Sequence, residues 1–102
     1  MENPVVNVAE LADEAGISAI EVQNMALIRA DRALHFLSYL RGRNLEILGI
    51  EAFFFEDGYV LPDMEHILDL SGLSSGDSLS EASNFLSNSG IRPDQLLSFE
   101  FK

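Results

Sequence analysis

The sequence predicts an α+β fold: a small antiparallel sheet of about three strands packed against one long helix and shorter helices. Three observations carry this. Apolar residues recur at helical spacing through residues 20–40. A β-branched and aromatic run, Leu45 to Phe55, is followed by Asp57-Gly58, the chemistry of a tight hairpin turn. The last residues alternate, Leu97, Phe99 and Phe101 against Ser98, Glu100 and Lys102, as a half-exposed strand pairing with that hairpin does.

In order, Asn7 with Glu10 forms an N-cap and box partner for a short helix, Val8 to Ala15, which Gly16 ends in a left-handed conformation. Ser18 with Glu21 repeats the box. Ile20, Leu27, Ala30, Leu34 and Leu37, flanked by Ala26, Ala33, Phe36 and Leu40, then read as one helix from Ala19 to Arg41, about 35 Å long. Arg41, Arg43 and Asn44 close it, with positive charge at the negative end of its dipole.

In the following strand Leu48, Ile50, Ala52 and Phe54 form a wholly apolar parity, and Gly49 marks a bulge or a close approach. The hairpin returns through Tyr59, Val60 and Leu61, and Pro62 stops it. Asp63 caps a short helix, Met64 to Leu70, with Glu65, His66 and Asp69 outward. Residues 71–77 are a loop by composition, Ser78 with Glu81 opens a further helix ended by Gly90, and Arg92-Pro93-Asp94 turns the chain. The length suits one domain, residues 1–102.

Charge is the strongest global feature. The chain holds 17 acidic and 6 basic residues, a net charge of -11. Residues 1–44 carry 6 acidic and 4 basic groups, a balance of -2, whereas residues 45–102 carry 11 and 2, a balance of -9. Such a field repels nucleic acid and anionic membranes and steers the chain toward basic proteins. There is no cysteine, which excludes thiolate chemistry and suits a reducing cytoplasm, and neither a secretory leader nor a membrane span is expected.

No catalytic constellation stands out. His35 and His66 lack a second histidine at ligand spacing, the serines lack a nucleophile elbow, and the Ser-Gly loop lacks the lysine that cradles phosphate. Neither an enzyme, nor a metal, nor a cofactor is expected. Residues 7–18 resemble a helix-turn-helix pattern, with Ala12, Gly16, Ile17 and Ser18 in place and Val22 following where such motifs pack the second helix. The would-be recognition helix, residues 18–27, has Glu21 but no lysine or arginine, which opposes DNA binding.

The run Gly49-Ile-Glu-Ala-Phe-Phe-Phe-Glu-Asp-Gly-Tyr-Val-Leu-Pro-Asp-Met-Glu-His-Ile-Leu-Asp-Leu-Ser71 resembles the centre of small bacterial immunity proteins encoded beside polymorphic or contact-dependent toxins. It covers about a quarter of the chain. The resemblance implies a cytoplasmic inhibitor that occludes the active site of one toxin domain, commonly a basic nuclease whose phosphate-binding surface an acidic partner can replace. On that reading Glu51, Glu56, Asp57, Tyr59, Asp63, Glu65 and Asp69 form the contact surface. The alternatives are a non-catalytic adaptor or a structural module that self-associates through its helices, or a helix-turn-helix transcriptional regulator. The oligomeric state stays open.

Overall fold

The computed structural model describes residues 7–43 and 45–101. The N-terminal Met-Glu-Asn-Pro, Asn44 and Lys102 lie outside them. The elements are α1 (Val8–Glu14), β1 (Ile20–Val22), β2 (Met25–Arg29), α2 (Ala30–Arg41), β3 (Ile47–Glu56), β4 (Tyr59–Asp69), α3 (Ser75–Asn88) and β5 (Leu96–Phe101). The fold is α+β, and its sheet has five antiparallel strands rather than about three, in the order β1-β2-β5-β3-β4. The terminal strand β5 is central, paired with β2 on one side and β3 on the other.

α1 matches its sequence signals. Asn7 Oδ1 accepts from the Glu10 N–H at 3.1 Å. At its end Gly16 has φ +78°, Gly16 N–H donates to the Asp13 carbonyl and Ile17 N–H to the Ala12 carbonyl. These are the paired bonds of a Schellman closure.

The long helix expected from Ala19 does not form as one piece. Residues 20–29 make the β1–β2 hairpin, with Val22 opposite Met25 and with Gln23 and Asn24 at φ 51° and 64°. Positive φ at both central positions is the turn whose twist suits a two-residue hairpin. The apolar spacing that suggested helix is equally a strand alternation, Ile20 and Val22 against Glu21, and the Ser18–Glu21 box therefore caps nothing. α2 begins only at Ala30, and its N-cap Arg29 makes no side-chain cap bond. The cap comes from elsewhere in the chain: Ala30 N–H donates to the Gln95 carbonyl at 2.9 Å and Asp31 N–H to the Pro93 carbonyl at 3.3 Å.

The second correction is at Pro62, which does not stop its strand. β4 runs to Asp69, and the short helix expected at 64–70 is strand instead. β4 is an edge strand, where a residue without an N–H costs no ladder bond if its amide side faces away from the neighbour. The hairpin turn itself is as expected, Glu56 opposite Tyr59 with Asp57 at φ 50° and Gly58 at φ 82°. α3 begins a turn earlier than Ser78: Ser74 is the N-cap and accepts from the Asp77 N–H.

One face of the sheet lies under all three helices. There Leu11, Ala12, Ala33, Phe36, Leu37, Leu40, Leu79 and Ala82 pack on Ile28, Ile50, Ala52, Leu97 and Phe99. Phe36 and Phe99 meet edge to face at 5.1 Å between centroids, a favoured aromatic geometry. The opposite face carries a smaller cluster, Leu27, Phe53, Val60 and Leu96, with Ile20, Val22 and Met25 of the first hairpin against it. The apolar parity of β3 thus holds for Ile50 and Ala52, while Phe53 is buried on the other side and Phe54 is only half-buried. The β3–β5 register shifts between Ile47 and Gly49, so Ile47 enters the core in place of Leu48. Gly49 is also a close approach, since a Cβ there would meet the Leu68 carbonyl oxygen at 3.0 Å.

Candidate functional site

The site is built on β3 and β4. Their register runs evenly from Glu56–Tyr59 to Phe53–Pro62 and resumes at Glu51–Ile67. Two steps along β3 thus face five along β4, so the segment Asp63-Met64-Glu65-His66 bulges out of the ladder.

Two of its side chains turn inward. Asp63 is 5% exposed, so it is neither a helix cap nor part of the contact surface expected from sequence. Its carboxylate accepts from Gln95 Nε2 at 2.9 Å, from the Glu65 N–H at 3.2 Å, and from His66 Nδ1 at 2.6 Å. His66, expected to point outward, is largely buried, and its Nε2 donates to the Ser89 carbonyl at 2.6 Å. Gln95 completes the network, its Oε1 accepting from the Arg92 N–H at 2.9 Å. No described buried side-chain polar atom lacks a partner.

The protonation states follow from the partners. A carbonyl can only accept, so Nε2 carries a proton. The Gln95 and His66 hydrogen bonds hold the Asp63 carboxyl below its usual range, and the Asp63 and Ser89 acceptors push the His66 imidazole up. Both partners therefore favour the imidazolium–carboxylate form of the pair. Ser89 is the C-cap of α3, where the helix dipole favours a cation. With both ring nitrogens protonated, His66 has no lone pair to take up a proton, so the arrangement is a clip that ties the bulge to α3 and to the turn before β5.

The other two bulge side chains face outward. Met64 is 74% exposed, the highest value among the described exposed large apolar residues. Of the seven such residues among the described ones, five, Phe55, Tyr59, Leu61, Met64 and Ile67, lie on β4 or the end of β3 paired with it. Isolated exposed apolar residues are ordinary, but this concentration along one edge is not.

Of the residues expected at the contact surface, Glu51, Glu56, Asp57, Tyr59, Glu65 and Asp69 are exposed. Glu65 stands on the bulge, and the other five divide into two groups. Glu56, Asp57 and Tyr59 surround the hairpin turn, whereas Glu51 and Asp69 lie on the open face beside Gly49 with Ile67, Ser98 and Glu100, around a depression of about 170 Å³. Asp69 is turned back on its own chain: the Ser71 N–H and hydroxyl donate to it and hold its carboxyl low. A helix over residues 64–70 with Glu65, His66 and Asp69 outward does not single out Met64 as a surface residue. Sequence reasoning also missed Gln95 and Ser89, which reach Asp63 and His66 from distant parts of the chain.

Elsewhere, His35 Nε2 donates to the Ala15 carbonyl at 3.0 Å and secures the end of α1 to α2. Tyr39 hydrogen-bonds Glu14, which pairs with Arg43 at 3.3 Å. Residues 20–29 form the β1–β2 hairpin, so a recognition helix over 18–27 is not present. Among the described residues, no group of three or more His, Asp or Glu is placed to hold a metal ion, and no helix is long and apolar enough to cross a membrane. Comparison with family models, curated proteins and solved structures finds no match for this chain.

Proposed function

We propose that this chain is a non-catalytic binding protein that captures a basic protein along its β4 edge, and that its partner is a toxin domain neutralised by active-site occlusion in the cytoplasm. The observation that carries the first part is the concentration of exposed apolar side chains on the β4 edge, with Phe55 and Ile67 on the open face, Tyr59 and Leu61 on the helix side and Met64 on the bulge between, bordered by Glu51, Glu56, Asp57 and Glu65. An apolar centre with a charged border suits a specific protein interface. The net charge of -11 supports a partner of opposite sign.

The toxin step rests on the resemblance of residues 49–71 to small immunity proteins and on charge. The aromatic strand and the Asp-Gly turn of that resemblance stand in the fold, while its short acidic helix is replaced by the β4 bulge. Self-association through the helices has less support, because Ala33, Phe36, Leu37 and Leu40 of α2 are spent on the core and Leu34 is the exposed apolar residue there.

The test is direct. The C-terminal domain of the protein encoded by the adjoining reading frame is purified and titrated with this chain, with toxin activity and association rate followed from low to high NaCl. Inhibition is expected, with association slowed by salt and dissociation changed less. Absence of binding and inhibition would sink the reading.

A further inference from the structure

The Asp63–His66 bulge is a preorganised structure. Its first side chain is buried and its last largely buried, hydrogen-bonded to Gln95 and to the Ser89 carbonyl. The Glu65 N–H is satisfied by Asp63 within the bulge. Between these anchors only Met64 and Glu65 project, one apolar and 74% exposed, the other acidic and exposed. A loop fixed at both ends loses little conformational entropy when a partner closes on it.

Resting on the proposed capture of a basic protein, we infer that Met64 is the apolar plug of the interface and Glu65 its adjacent charge, entering an apolar socket bordered by arginine or lysine. Asp63, His66 and Gln95 are positioning residues that hold this knob and do not touch the partner. A thioether suits the role, since its unbranched, polarisable chain adapts to a socket of irregular shape.

Two other occupants fit the edge less well. Addition of a partner strand needs a continuous row of outward N–H and C=O groups, which Pro62 and the bulge interrupt. A second copy would set Glu56, Asp57 and Glu65 of one molecule against the same carboxylates of the other in any two-fold arrangement centred on the knob.

The experiment measures binding of the adjoining gene product's C-terminal domain to the wild type and to Met64→Ala, Glu65→Gln, His66→Gln and, as a control on α2, Leu34→Ala. Met64→Ala is expected to weaken binding at least tenfold through faster dissociation, with an unchanged melting temperature. Glu65→Gln is expected to slow association severalfold at low salt. His66→Gln is expected to weaken binding and to raise amide exchange of residues 63–66 in the free protein, while Leu34→Ala matches the wild type. If the wild type binds and Met64→Ala binds within twofold of it, the knob assignment is overturned while the capture reading stands. If the wild type does not bind at all, both fall. A concentration-dependent dimer that Met64→Asp dissolves would make the occupant a second copy and also overturn the inference.

Discussion

His66 sits between two acceptors, and its charge therefore sets a pH window for the fold. Its pKa is raised from 6.5, so its contribution to stability is full below 6.5 and is lost as pH rises through the raised value. Asp63 is lowered from 3.8, so its contribution is full above 3.8 and is lost as pH falls through the lowered value. Both are complete between those two ordinary values. The charged neighbours facing the ring are Asp63 and Glu65, and both favour the cation. Urea midpoints for wild type and His66→Gln should differ most near pH 5 and converge as pH rises above 6.5. A difference that stays constant with pH would show that the ring is not charged. Gln95 is the other residue on which the network turns, 2% exposed and bonded at both ends of its amide. Gln95→Leu keeps the volume but strands the Arg92 N–H and removes one donor from Asp63. The expected cost is about 1–3 kcal/mol in urea unfolding. The bond to Asp63 was not legible in the sequence, because Asp63 and Gln95 lie 32 positions apart and only the tertiary fold brings them together.

Among the elements, local signals were readable where they are chemically unambiguous. Asn7, Gly16 and Asp57-Gly58 each do what their residue type favours. The β1–β2 turn uses Gln23-Asn24, a pair in which only Asn is at home at positive φ, so the hairpin was hidden inside a plausible helical stripe. The strand alternation of Ile20, Glu21 and Val22 together with Asn24 was the available signal. If the turn has the geometry described, replacing it by Asn-Gly, with Gln23→Asn and Asn24→Gly, should stabilise the protein by about 1 kcal/mol. Loss of stability in thermal unfolding would contradict the hairpin. The second hidden element is the strand beyond Pro62. A proline usually ends a strand, but this strand lies on the sheet edge, a placement that belongs to topology and not to any local pattern. Gly49 gives the complementary case, where the sequence signal for a close approach was correct. Gly49→Ala should be destabilising, since the new Cβ meets backbone, the Leu68 carbonyl at 3.0 Å, which has little room to move.

For the whole molecule, charge was legible from composition, and its placement on the β3–β4 edge came partly from the order of residues and partly from the register. A net charge of -11 on a chain whose radius of gyration is 12.9 Å repels itself. Screening falls to a length of about 8–10 Å at 0.1–0.15 M salt, shorter than the molecule, so added NaCl should relieve this repulsion and raise the melting temperature by several degrees. The same salt weakens attraction to a basic partner. One set of carboxylates therefore drives two quantities in opposite directions, and neutralising it should do what salt does. The triple variant Glu56→Gln, Asp57→Asn and Glu65→Gln alters exposed residues, and Asn is well suited to the positive φ of residue 57. It should melt higher than wild type at low salt, associate more slowly with the basic domain, and show a flatter salt dependence in both measurements. A variant that melts lower would mean that these carboxylates stabilise the free fold through local contacts. A variant that melts higher yet associates at the wild-type rate would place the partner on another surface, away from the β4 edge.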